Sequence, residues 1–286
     1  MQINGAQGGT HGYALLIAAS PHSRNPAMKA TDALPALAAV PPGTLLGTST
    51  ASVVQLADPD DPNVVLSHLR TAAAHDGPLL VHVAGLVMLD SRQHLPHLAL
   101  AKSTARTVRY TGLPWHWLQA ELQTRPPGTT TVLADLVADD ELWQRRGETQ
   151  LTAGPATYGV LVPNRSRRRG GPPAAPVYSQ AVAAVLRSVG GAERPDDATL
   201  HQQAVAHSGL PAHDPTRLQL LAATTPLPHG NAPTTAPAPE PPTAPGPVPH
   251  PTAGPMPPAA PPAGPDRTPP PPQPGPAPAP PAPEPP

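Results

Sequence analysis

The chain has 286 residues, with 18 Lys and Arg against 19 Asp and Glu, a formal net charge of −1, and neither cysteine nor phenylalanine. A near-neutral balance argues against a strongly electrostatic nucleic-acid or membrane-surface binder, because counterion release needs many clustered cations. The missing thiols exclude a cysteine nucleophile, a disulfide and any cysteine-held zinc or iron–sulfur centre, and a chain without disulfides suits a reducing, cytoplasmic setting.

Residues 1–12 are expected to be a flexible lead-in, with no basic segment ahead of an apolar run. Tyr13–Ser20 reads as a short buried strand. Ala27–Val40 reads as a helix that stops before Pro41 and Pro42. Val53–Leu56 is a short strand. Asp60–Ala74 is a helix with Pro62 in its first turn and Val64, Val65, Leu69 and Ala72 at helical spacing. Pro78–Ala84, Thr129–Leu136 and Thr157–Val162 are further buried strands, the second rich in β-branched residues. Val177–Val189 and Ala198–His207 are amphipathic helices. The longest apolar run, 79–89, is about half of what a bilayer-spanning helix needs. Short apolar strands separated by helices predict an α/β domain over 13–225, with a mostly parallel central sheet and helices on both faces. Ligands bind such sheets at the carboxyl ends of the strands, here Ser20, Ala84–Leu86 and Asp135–Val137.

From Pro226 the composition changes. Of the 49 prolines, 29 lie in residues 226–286, which carry no aromatic residue. Such a segment cannot bury enough apolar surface to order itself and is expected to be a disordered, polyproline-II-biased tail. Its PxxP spacings, such as Pro239 to Pro242, would dock proline-recognition modules, but this proline density also produces them by chance.

The order of motifs resembles a bacterial caspase-like peptidase domain over residues 12–222. Tyr13–Ser20 is similar to that family's opening strand, and Leu34-Pro-Ala-Leu37 and Leu56-Ala-Asp-Pro59 to its next segments. Leu79-Leu-Val-His-Val-Ala-Gly85 resembles the strand that reads Leu-Leu-Val-Tyr-Tyr-Ala-Gly-His-Gly in active members. Leu98–Ser103 with Tyr110–Trp115, Thr131–Asp135 and Tyr178–Leu186 follow at family-like spacing. The resemblance implies a three-layer caspase-like fold.

It also implies a Cys–His pair, in which the thiolate attacks a carbonyl while the imidazole moves protons. Here Leu86 stands at the histidine position. Leu136 or Val137, one or two residues after Asp135, stands at the cysteine position. No aliphatic side chain can act as nucleophile or base, so the resemblance implies the fold while the residues argue against the activity. The expected function is a catalytically inactive pseudoenzyme that binds a protein partner, with signalling or conflict-system proteins as the partners the family suggests. Two alternatives stand beside it: a hydrolase of different chemistry on the same fold, pairing Asp135 with a histidine from elsewhere, and an unrelated α/β binding domain.

Other candidates are weaker. Asp135 is either a residual pocket for a basic side chain or a carboxylate satisfied at a strand end. Asp139, Asp140 and Glu141 read as the acidic first turn of a short helix. His94 and His97 lack a third ligand in sequence, so no metal and no cofactor are expected. His82 reads as a core or sheet-surface histidine. His116, between Trp115 and Trp117, reads either as part of a helix start packing two Trp rings or as a residue on a partner-facing surface. No Gly-x-Ser-x-Gly elbow and no phosphate-binding loop occurs. Arg165, Arg167, Arg168 and Arg169 form the one charge cluster, either a solvated loop, a grip for an acidic partner segment, a phosphate group or nucleic acid, or a proteolytic processing site.

Overall fold

The computed structural model describes residues 11–165, 172–189 and 193–223. The expected tail, Arg167, Arg168 and Arg169 lie outside the described residues. Among the described residues eight strands form one sheet: β1 (His11–Ala19), β2 (Thr50–Ala57), β3 (Leu79–Leu89), β4 (Pro96–Leu98), β5 (Leu113–Pro114), β6 (Thr130–Ala138), β7 (Ala156–Pro163) and β8 (Gln219–Leu221). The main order is β2-β1-β3-β6-β7-β8. All neighbours in it are parallel except β7 and β8, while β4 and β5 form a small antiparallel appendage on the far end of β3.

The helices are α1 (Ala33–Ala38), α2 (Pro42–Leu46), α3 (Pro62–Ala73), α4 (Val108–Thr111), α5 (Trp115–Gln123), α6 (Asp140–Gln144), α7 (Val177–Ser188) and α8 (Asp197–His207). Alternation along each strand sends successive side chains to opposite faces, and each face is covered. Leu16, Leu80 and Leu133 meet Leu37, Val182 and Leu200 of α1, α7 and α8 on one side. Leu15, Val81 and Val132 meet Leu69, Leu118 and Leu142 of α3, α5 and α6 on the other. The expected mostly parallel sheet with helices on both faces is therefore present. No helix among the described residues is long and apolar enough to cross a membrane.

Several boundaries differ from expectation. His11 and Gly12 belong to β1 rather than to a lead-in, since they pair with Thr50 and Ala51. The single helix expected over 27–40 is broken. Ala27 and Lys29 bond the backbone of Ala174 in an extended stretch, a 3-10 turn spans Ala30–Asp32, and only 33–38 is α-helical. In α3, Asp61 caps the first turn by accepting from the Asn63 N–H, and Val65, Leu66, Leu69 and Ala72 are buried. Val64 is not; it is 48% exposed.

The difference that matters most lies in β3. The strand runs through Gly85 to Leu89 instead of stopping at Ala84. Gly85 sits at φ +156°, and a Cβ there would lie 2.4 Å from the Ala19 carbonyl oxygen. Glycine lets the chain pass this close approach without ending the strand.

Candidate functional site

β3 and β6 end at the carboxyl edge of the sheet, where the sequence resemblance placed the lost catalytic pair. Leu86 is the direct ladder neighbour of Val137, and Gly85 that of Leu136. The period-two alternation separates the two registers considered for the cysteine position. Val137 shares a face and a core cluster with Leu86, while Leu136 faces the opposite core. Val137 and Leu136 are buried and Leu86 is 9% exposed.

The surrounding backbone is committed as well. The Leu86 carbonyl accepts from the Ala99 N–H (2.8 Å), Val87 accepts from Asp139 (3.0 Å), and Ala138 accepts from Asn164 (2.9 Å). Backbone amides that could stabilise a developing oxyanion are thus spent in regular pairing.

Beside these strands a cleft of about 210 Å³ opens, with Leu86 and Met88 on its floor and Pro21, His22, Ser103 and Thr104 among its walls. The Ser103 hydroxyl accepts from the Leu100 N–H and the Thr111 hydroxyl. Among the described residues no hydroxyl of this cleft is hydrogen-bonded to a histidine, the neighbour that would activate it as a nucleophile.

Farther back on the same strands lies a buried polar chain. Asp135 Oδ2 accepts both the backbone N–H and the hydroxyl of Ser179, each at 2.8 Å. His82 Nε2 stands 2.8 Å from the Ser179 oxygen. Since the hydroxyl proton goes to the carboxylate, the imidazole donates Nε2–H to Ser179, and its Nδ1 lone pair has no partner among the described residues. All three residues are buried.

Asp135 thereby does a structural job. The residue before α7 is Pro176, which offers no side-chain cap. The β6 carboxylate supplies the missing acceptor to the first turn of the helix. Burial pushes the Asp135 carboxyl up to about 6, against the lowering effect of its bonds to Ser179 and Tyr178. Burial also drives the His82 imidazole down to about 3, so it is neutral. Tyr178, next along α7, bonds His201 of α8 at 2.9 Å, and burial raises its phenol above the usual range, helped by the Asp135 charge.

This arrangement corrects the reading of Asp135 as a residual pocket. Its carboxylate faces the helix–sheet interface, not the cleft. The structure does bring a histidine to Asp135, but through Ser179 and in the wrong order for catalysis, because the serine proton points to the carboxylate and not to the imidazole.

Asp139 caps α6 by accepting from the Leu142 N–H (2.8 Å), as the acidic turn predicted. His94 is at φ +54° and pairs with Glu141 (3.1 Å), while His97 Nδ1 donates to the Leu95 carbonyl. Among the described residues no cluster of three or more His, Cys, Asp or Glu could hold a metal. The two tryptophans part company. Trp115 is buried and donates to the Leu151 carbonyl (3.0 Å), whereas Trp117 is exposed. Arg165 is exposed beside a cavity of about 270 Å³ that Arg217 also lines; its companions in the cluster lie outside the described residues. Sequence reasoning missed Asp90, a buried carboxylate that accepts from the Arg92, Gln93 and Leu95 amides and closes the β3–β4 turn. Burial acts to raise its carboxyl, but those bonds outweigh it and hold the group below the usual range.

No family model matches the chain, and no curated protein does. Solved structures do. The Drosophila initiator caspase Dronc matches at 8% identity and a TM-score of 0.37, over 61% of this chain; the chain spans 64% of Dronc. Protein GSU0716 from Geobacter sulfurreducens matches at 13% identity and a TM-score of 0.44, covering 76% of this chain and 95% of that one. Caspase-1 from Spodoptera frugiperda matches at 17% identity and a TM-score of 0.41, covering 75% and 85%.

Proposed function

We propose that this chain is a caspase-like domain without peptidase chemistry that serves as a protein-binding or regulatory module. One observation carries the reading: Leu86 and Val137 are adjacent, aliphatic and embedded in unbroken strand pairing at the ligand-binding edge of the sheet. The chain also lacks any cysteine. Aliphatic side chains there add apolar burial and remove polar groups that would need partners. A cytoplasmic protein partner is the reading's natural complement, and the proline-rich residues 226–286 are a second region for docking.

The competing hydrolase reading would use Asp135, His82 and Ser179. They are sealed in the core, and water or substrate would reach them only by lifting α7 off the sheet.

The test is turnover of fluorogenic peptides with arginine, lysine or aspartate at the cleavage position. The expected rate equals that of buffer. Turnover that co-elutes with the protein through successive columns would overturn the reading. Affinity capture with the intact chain should recover a defined protein partner.

A further inference from the structure

We propose that the exposed cationic-aromatic surface of residues 102–117, with the groove beside it, binds an acidic peptide segment bearing aromatic residues. This deepens the binding-module reading and rests on it. Residues 91–120 contain no Asp or Glu, yet they hold Arg92, Lys102, Arg106 and Arg109.

Three of the nearby acids are already taken. Asp60 pairs with Lys102, Glu121 with Arg70 at 2.9 Å and Glu141 with His94. Arg92, Arg106 and Arg109 form no ion pair among the described residues. Arg109 stacks 6.0 Å from the Tyr110 ring centroid, which leaves its guanidinium donors open to a carboxylate.

The aromatics point the same way. Tyr110 is 70% exposed and Trp117 41% exposed, and the His116 ring lies edge-on to Trp117 at 6.2 Å. Aromatic and arginine side chains are the residue types that carry binding energy at protein interfaces. α4, carrying Arg109 and Tyr110, and α5, carrying His116 and Trp117, lie directly before and after β5 in the chain, and β5 pairs with β4 through Pro114 and His97. The groups therefore converge around one small ladder.

The surface is also held rigid. Thr107 accepts the Thr104 N–H at its hydroxyl (3.1 Å), and the Thr111 hydroxyl bonds back to the Thr107 carbonyl (3.0 Å). A preordered loop loses little entropy on binding. A groove of about 320 Å³ adjoins it, with Leu89 and Pro96 on its floor, His116 and Arg145 on its walls, and Glu148 the one acid lining it. The apolar floor suits a side chain, and Arg145 a carboxylate that follows it. The few cations and the overall charge of −1 favour a peptide over a nucleic acid, which would need many more phosphate contacts.

The test uses the full chain and a fluorescein-labelled peptide of repeated Asp-Glu-Tyr-Pro units, with fluorescence anisotropy as readout. Saturable binding that weakens as salt rises is expected. Arg106→Glu with Arg109→Glu should weaken it at least about tenfold, and Trp117→Ala by about fivefold. These positions sit at the surface, so melting temperatures should stay within about 2 °C of the parent. No saturable binding, equal binding of the peptide with lysine in place of its acids, unchanged affinity of the charge-reversed variant, or tighter binding of an oligothymidylate would each overturn the proposal. The fluorogenic peptidase assay on the same sample separates the two readings. Turnover there sinks the inactive-module reading. A silent assay and a captured partner, with no acidic-peptide binding, sink only this surface.

Discussion

β3 and β6 run side by side for nine residue pairs, 79–87 against 130–138, and their two regions treat polarity in opposite ways. At the carboxyl edge, where a ligand would arrive, stand Leu86 and Val137. A few residues back, where a core is expected to be apolar, stand His82 and Asp135, joined through Ser179. Polar groups on these strands thus take part in packing at the helix–sheet interface, where a carboxylate fixes a helix, while the carboxyl edge at Leu86 and Val137 is hydrocarbon. A fully satisfied buried network specifies one docking geometry, whereas an unsatisfied group in the same place is penalised heavily. Asp135 is the satisfied end of this chain, and His82 Nδ1 is the unsatisfied one.

Breaking the satisfied end should have the largest effect. Asp135→Ala leaves the Ser179 N–H in the core without an acceptor, and its O–H turns to His82 Nε2, which moves the imidazole proton to the unpartnered Nδ1; each unsatisfied donor is worth about 1–3 kcal/mol. Removing a buried charge that lacks a counter-ion returns part of this at neutral pH. The net loss should be about 2 kcal/mol at pH 7. It should grow to about 3 kcal/mol or more at pH 5, where the wild-type carboxyl is protonated and its burial is less costly. Urea unfolding at both pH values measures this. A smaller loss at pH 5 than at pH 7 would mean that the carboxyl is not the raised, buried group described here.

At the other end of the comparison, Leu86→His with Val137→Cys restores the residue types of an active pair. The expected result is a loss of about 2 kcal/mol, from a polar ring and a smaller side chain placed in aliphatic packing, with no peptidase activity. The Ala99, Asp139 and Asn164 amides beside both positions remain bound to Leu86, Val87 and Ala138, so these three cannot serve as oxyanion donors. Cleavage of peptides by this variant would show that the edge is a recently silenced site and not a rebuilt one. Labelling by a thiol reagent without cleavage fits the structure, since the cleft reaches Leu86.

The core strands were legible because buried parallel strands are continuous apolar runs. Tyr13–Ser20, Pro78–Ala84, Thr129–Leu136 and Thr157–Val162 all fall within observed strands to within two residues. The far half of β3 was not legible, because glycine at position 85 reads as a strand stop and only the Ala19 carbonyl explains it. The helix over 27–40 misled for a similar reason: its composition is helical, but pairing with Ala174, far away in sequence, holds its start extended. The resemblance pointed to Leu86 and to Leu136 or Val137, but that Val137 and not Leu136 shares a face with Leu86 needed the ladder register. His82 was legible as a structural histidine from its apolar neighbours. Its partner Ser179, 97 residues away, had no sequence signal, and neither did the capping role of Asp135. The exposed Trp117 was hidden by its likeness to Trp115 two residues earlier.

The smallest effect, and the finest test of the comparison, belongs to His82→Leu. The substitution removes one hydrogen bond to Ser179, worth about 0.5–1.5 kcal/mol, but also a buried lone pair without a partner, whose desolvation costs a similar amount. Ser179 keeps its bonds to Asp135, and leucine fills nearly the same space. Stability at pH 7 should therefore change by less than about 1 kcal/mol. Acid should reveal what neutral pH hides. The folded His82 titrates near 3 against an ordinary 6.5, so alone it would lose stability as pH falls from 6.5 towards 3. The folded Asp135 titrates near 6 against an ordinary 3.8, so alone it would gain stability as pH falls from 6 to 3.8. Between those limits folding moves one proton from the imidazole to the carboxyl, the bound-proton counts of the two states match, and the pair contributes no slope. In His82→Leu only the carboxyl remains. Relative to wild type, the variant should gain stability on going from pH 6 to pH 4, by up to about 3 kcal/mol if the two shifts are fully expressed. Urea midpoints of both proteins at matched pH values give this difference. A difference that stays constant across the range would show that His82 is already protonated in the fold or open to solvent, and the buried chain would then be no more than a crossing of side chains.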